Sequence, residues 1–182
     1  MVVEPRPSET LRARLRAATA DDHTRVDELA GRFNLGEHAG YTGFLVAQMR
    51  VLPAIEARLM EGPHPPRWEE RGRAAALASD LAALGVSSPR PVPILALDTP
   101  AERIGAAYVL EGSRLGAAVQ SRFVTRSQPE APRAFLDHGA GQSFWPEFLC
   151  WLETQPQETS DLAGMIAGSR ATFAAFAHAF ET

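Results

Sequence analysis

The sequence predicts an all-α protein folded as a single domain. Three observations carry that expectation. Apolar residues recur at helical spacing in every segment between loops, alternation at strand spacing is missing, and no hairpin dipeptide joins two apolar runs. The 182 residues are 45% hydrophobic and 22% charged, ordinary proportions for a globular chain that builds a core without disulfides or a structural metal. There is no internal repeat, so one domain over residues 1–182 is expected, with residues 1–7, which include Pro5 and Pro7, as a loose tail.

The elements follow in order. Ser8 is a candidate N-cap for a first helix in which Leu11, Leu15, Ala18, Val26, Leu29 and Phe33 form the apolar side, ending near Gly36. A second helix is expected from Tyr41 to Met60, with Pro53 as a possible kink. After the loop "EGPHPP", a third helical region runs from Trp68 to Leu84 and is closed by Gly85. The proline-rich "GVSSPRPVP" is a loop. Thr99-Pro100-Ala101-Glu102 then gives a cap, a proline at the first helical position and an acid. The stretch "TRSQPEAPRAFLDHGAGQS" is irregular, and helices over Phe144–Glu153 and Asp161–Phe180 complete a set of six to eight.

Composition narrows the function. Net charge is −4, which argues against a nucleic-acid binder. All 18 basic side chains are arginine, so a strong anion contact is an arginine contact. No apolar run approaches the roughly 20 residues that cross a bilayer, and the first residues lack the apolar core of a signal peptide. A cytoplasmic protein is expected. The single cysteine, Cys150 in "FWPEFLCWLE", is expected to be a buried, inert thiol.

Two segments stand out. In "YVLEGSRLGAAV", Gly112 and Gly116 lie four apart on one helical face, and each costs roughly 1 kcal/mol relative to alanine. Gly105 is expected to extend the same bare stripe, bordered by Ser113 and Ala117. Either another helix packs tightly there or a flat ligand lies across the backbone. In "RAATADDHTRVDEL", His23 borders the apolar stripe. Arg16 precedes it by two turns, a rise of about 10 Å along a helix. That is near the distance between the iron and the propionate carboxylates of a heme. Asp27, one turn beyond, is placed to accept the other ring N–H. A hydrogen-bonded boundary histidine with solvated charges is the competing account. HExxH, EF-hand, Walker, CxxC and di-iron ExxH patterns are all missing.

Taken together, these segments resemble the heme oxygenase family over most of the chain. "LRAATADDHTRVD" is similar to that family's proximal helix, "YVLEGSRLGAAV" to the distal helix of bacterial members with its EGS-x-LG pattern, and "GSRATFAAFAHAF" to the closing helix. The resemblance implies a heme-oxygenase-like fold that binds heme as substrate and cofactor. It implies oxidative opening of heme to biliverdin with release of CO and ferrous iron, using O2 and electrons from a separate reductase or ferredoxin. It further implies His23 as the iron ligand, Asp27 as its hydrogen-bond partner and Arg16 as a propionate contact. Gly112, Ser113 and Gly116 become the distal wall, with Phe173 lining the pocket and Tyr108 near a heme edge. The late basic residues that some members use for the propionates are replaced by apolar residues around Trp145 and Leu149, leaving Arg114 or Arg170 as candidate substitutes. A heme-carrying protein on the same fold without turnover, and an all-α partner-binding protein whose glycines only pack helices, are the alternatives.

Overall fold

The computed structural model describes residues 9–87, 89–92 and 97–182. The expected tail and the Ser8 cap lie outside the described residues. The first helix begins on Thr10, whose hydroxyl accepts from the Ala13 amide at 3.2 Å. Among the described residues there are nine helices and no strand: α1 (Leu11–Ala18), α2 (Ala20–Ala30), α3 (His38–Met49), α4 (Leu52–Leu59), α5 (Trp68–Arg71), α6 (Ala74–Ala83), α7 (Pro100–Ser127), α8 (Phe144–Leu152) and α9 (Thr159–Glu181). No helix among them is long and apolar enough to cross a membrane.

The helix count exceeds the six to eight expected because three expected helices are each broken once, and each break has a local cause. Between α1 and α2, Thr19 adopts φ −121° and ψ 16°, and its hydroxyl donates to the Leu15 carbonyl at 2.8 Å. Short hydroxylated side chains compete with the helix in this way. Between α3 and α4 the helix stops at Arg50 and restarts at Leu52, so Pro53 falls in a first turn, where its missing N–H leaves no bond unmade. Between α5 and α6, Gly72 is extended, and the exposed amides of Arg73 and Ala74 donate to the Glu56 carboxylate at 2.7 and 3.1 Å. The start of α7 matches the sequence reading. Thr99 accepts from the Glu102 amide at 3.2 Å while the Glu102 carboxylate accepts from the Thr99 amide at 2.8 Å, a reciprocal capping box.

The longest helices, α7 and α9, cross in close contact, and small residues make the crossing possible. A Cβ on Gly105 would stand 1.9 Å from the Met165 carbonyl oxygen, and one on Gly168 would stand 2.0 Å from the Glu102 carbonyl oxygen. Ser169 stitches the crossing by sharing its hydroxyl between the carbonyls of Gly105 (3.0 Å) and Met165 (2.9 Å). This corrects the sequence reading of Gly105, which belongs to a helix–helix contact and not to the bare stripe. Gly116 is the opposite case, since a Cβ there meets nothing within 4 Å.

Helix α2 also lies on α9, yet α2 and α7 do not pack extensively on each other. Helices α2 and α7 thus flank the same helix, and the interval between them over α9 is the slot. The main core lies away from it, where Tyr41, Leu45, Leu52, Ile55, Leu77 and Phe148 are buried.

The two kinds of glycine predict opposite stability effects. Gly168→Ala drives a methyl into the α7 backbone and is expected to lower unfolding free energy by roughly 3 kcal/mol. Gly116→Ala is expected to leave it unchanged or raise it by up to about 1 kcal/mol. Urea melts of the two variants beside the parent check both.

Candidate functional site

His23 projects from α2 at one wall of the slot. Its ring meets the Phe173 ring of α9 edge-on, with centroids 5.7 Å apart at 70°. Nδ1 lies 3.5 Å from Oδ2 of Asp27, one turn on, and both side chains are about two-thirds exposed (63% and 67%). An ion pair so open to water adds little stability. The Asp27 carboxylate lies on the Nδ1 side of the ring, so Nε2 is the nitrogen away from it. Arg16 stands on α1, across the Thr19 break from His23, so the two occupy separate short helices and not one straight rod.

The opposite wall is α7. Gly112 and Gly116 lie on it with Leu115, Val119 and Phe123, whose exposures of 55%, 61% and 44% are high for large apolar side chains. Side chains at this spacing share one face, and a contiguous apolar face left open marks a binding surface. At Gly112 an added Cβ would sit 3.7 Å from the Trp145 ring of α8, an ordinary contact. Near Phe123 the slot is bordered by Gly36, where an added Cβ would touch the Phe123 ring at 3.5 Å.

The other end of the slot is cationic. Tyr108, half-buried on α7, packs obliquely on Trp145 with ring centroids 6.2 Å apart. Burial raises the tyrosine hydroxyl's pKa, and the Arg12 and Arg16 guanidiniums pull it back down in part. Arg12 and Tyr108 lie against the same Trp145 ring, and Arg16 is one turn from Arg12 on α1. The sequence reading identified Arg16 and Tyr108 and missed Arg12.

The sequence reading also missed what holds α7 from behind. Arg71 of α5 is fully buried, and its guanidinium donates to Glu111 of α7 at 2.6 Å, to the Phe144 carbonyl at 2.9 Å and to the Pro66 carbonyl at 2.8 Å. Arg114 donates to the same Glu111 at 2.9 Å and lies 3.3 Å from Nδ1 of His138. Burial pushes His138 below the usual histidine range, with Arg114 and Arg73 adding to the push. Arg73 is also buried, and that burial lowers its pKa to about 10, aided by the nearby Arg114 charge. Its guanidinium donates to the Leu110 carbonyl at 3.1 Å and to Oγ of Ser113 at 2.9 Å. Ser113 in turn donates to the Leu110 carbonyl at 2.7 Å.

These contacts correct two expectations. Arg114 is committed to Glu111 and His138, and Arg170 to the Ala18 carbonyl at 2.9 Å and Asp22 at 3.5 Å. Arg114, nearly buried, is thereby taken out of reach as a propionate contact, whereas Arg170 is 58% exposed. Cys150 is exposed, not buried, because α8 turns Phe144, Phe148 and Leu152 inward at four-residue spacing and leaves Cys150 on the outer side. Among the described residues no cluster of three metal-ligating side chains exists.

An all-helical frame in which a histidine-bearing helix and a glycine-bearing helix both pack on α9 is that of the heme-oxygenase-like class. The comparisons agree. The chain superimposes on the NO- and CO-bound heme oxygenase from Neisseria meningitidis with a TM-score of 0.82 and 25% identity, covering 96% of this chain and 92% of that one. The heme oxygenase from Leptospira interrogans shares the fold, with a TM-score of 0.74 at 18% identity over 94% of this chain and 98% of that one. In sequence, the heme oxygenase of Xanthomonas campestris pv. campestris (strain 8004) is 37% identical over 112 residues, which are 60% of this chain and 67% of that protein. No family model matches. The chain belongs to the heme oxygenase family.

The buried network gives a clear stability test. Glu111→Ala removes the fully buried partner of Arg71 and leaves it only the half-exposed Glu147 carboxylate at 3.1 Å, and is expected to cost about 3 kcal/mol. Loss of less than about 1 kcal/mol in chemical denaturation contradicts the assigned role.

Proposed function

We propose that this chain, acting as one domain over residues 1–182, opens heme oxidatively to biliverdin, with release of CO and ferrous iron, using O2 and electrons from a separate reductase or ferredoxin. What supports the reading is that α2, with its exposed imidazole, and α7, with its open glycine and exposed apolar side chains, both pack on α9 and little on each other. A flat, largely apolar molecule with carboxylates on one edge fits that distribution. Covering Leu115, Val119 and Phe123 recovers free energy at about 25 cal/mol per Å2 of apolar area removed from water.

Heme, when bound, supplies both the oxygen-activating iron and the ring carbon that is oxidised. The chain supplies position and surroundings. His23 would hold the iron through Nε2, with the Asp27 carboxylate 3.5 Å from Nδ1 placed to accept the other ring N–H. Phe173 supports the imidazole edge-on and floors the slot. Arg16 and Tyr108 receive a carboxylate at the cationic end, where the arginine charge matches it. Gly112 and Gly116 keep the space over the ring free of side chains and of any strong acid or base. Ser113 accepts from Arg73 and donates to the Leu110 carbonyl. Its remaining lone pair is free to order a water beside the distal surface. The Neisseria meningitidis relative, described with NO and CO bound, supports a slot that admits a diatomic ligand. A heme carrier without turnover is not favoured, because the relatives are named for the oxygenase.

Hemin added to the protein is expected to give a one-to-one complex with a histidine-ligated Soret spectrum. With ascorbate or a ferredoxin system in air, that complex turns green as biliverdin forms. His23→Ala is expected to weaken binding strongly and remove that spectrum. Gly116→Leu is expected to keep the fold and lose turnover at least tenfold. An unchanged His23→Ala spectrum, or full activity in Gly116→Leu, overturns the corresponding role.

A further inference from the structure

The second arginine at the cationic end has a built environment. Arg12 and Arg16 lie one turn apart on α1, so they share a face. Glu153, at the end of α8, caps this helix: its two carboxylate oxygens accept from the Leu11 amide at 2.9 Å and the Arg12 amide at 3.1 Å. The cap fixes the backbone that carries Arg12. The Arg12 guanidinium then lies over the Trp145 indole, 5.7 Å from the ring centroid. Trp145 is itself held by Phe148, stacked with centroids 5.7 Å apart, and by Tyr108. Among the described residues neither Arg12 nor Arg16 has a carboxylate within ion-pairing distance. Two like charges thus share one face of α1, and Arg12 and Tyr108 meet the same Trp145 ring.

We propose that Arg12, seated on Trp145 and positioned by the Glu153 cap, is a second carboxylate contact for the slot's ligand, so that the anion clamp is built from one helix, α1, together with Tyr108. The proposal rests on the heme reading above and deepens it. It accounts for Trp145, which the sequence alone marked only as an apolar residue in place of a base. The indole is the platform that brings a guanidinium from the first helix to the end of the slot. An aromatic face suits this because it holds a planar cation without neutralising it. Trp145 also touches the Gly112 position, so it limits how far a ring can slide or rotate toward α8.

The test is equilibrium binding of hemin and of hemin dimethyl ester, which lacks both carboxylates, read by Soret titration. The parent is expected to favour hemin over the ester. Arg12→Gln is expected to weaken hemin binding about five- to tenfold, a moderate loss because the site is partly open to water, and to leave ester binding unchanged. Trp145→Leu is expected to show the same selective loss, because the guanidinium loses its platform. In the cyanide-bound ferric complex, the heme methyl NMR pattern of either variant is expected to show a second seating. Parent-like hemin binding in Arg12→Gln, or an equal loss for hemin and ester, overturns the Arg12 assignment and leaves the heme reading standing. Absence of any Soret complex in the parent overturns both.

Discussion

The close crossing of α7 over α9 is the constraint on which the rest depends. Gly105, Gly168 and Ser169 let two backbones meet where even an alanine methyl does not fit. That contact fixes the height and direction of α7, and with them the position of everything further along it. Gly112 and Gly116 lie on the same helix but beyond the crossing, where α9 no longer covers them. One rigid element therefore carries both a packed glycine surface and an open one. The first makes the second reliable, because a surface can stay empty only if the helix bearing it cannot settle into the gap.

The buried arginines complete that argument from the other side. A helix held only at one crossing could tilt toward the slot to bury Leu115 and Val119. Arg71 and Arg114 grip Glu111 from behind, and Arg73 grips the Leu110 carbonyl and Ser113. Burying these charges costs desolvation that a hydrophobic contact would avoid. What the ionic contacts supply is direction: guanidinium forks accept few arrangements of their partners. The resulting restraint opposes collapse of α7 onto α2.

Much of this was legible in the sequence, for identifiable reasons. The cap at Thr99, the order of the helical segments, His23 and the Gly112–Gly116 pair are local patterns, and local patterns survive folding. The breaks at Thr19 and Gly72 were hidden because the apolar spacing continues through them. Gly105 was misassigned because helical periodicity places it on the same face as Gly116, and no periodicity tells which part of a face another helix covers. Cys150 was misread because its neighbours are large and apolar, although only those at four-residue spacing turn inward. The Arg71, Arg73, Glu111 and Arg114 network was invisible because its members come from three elements whose meeting is a tertiary fact. An arginine in sequence reads as surface until its partners are known.

The distribution of charge around the slot gives the last step. The chain carries a net charge of −4, yet the described residues bring Arg12 and Arg16 together at one end, beside a tyrosine hydroxyl. The acids on α2, Asp21, Asp22, Asp27 and Glu28, follow the Thr19 break, while the arginines Arg12, Arg14 and Arg16 precede it. The break thus separates a cationic helix from an acidic one. An amphiphilic plane entering this slot meets opposite fields along its length, favouring its carboxylates toward α1 and its apolar edge toward Phe123. The same short turn that interrupts the helix gives the slot a polarity. That polarity orders a ligand end to end before any single contact has formed.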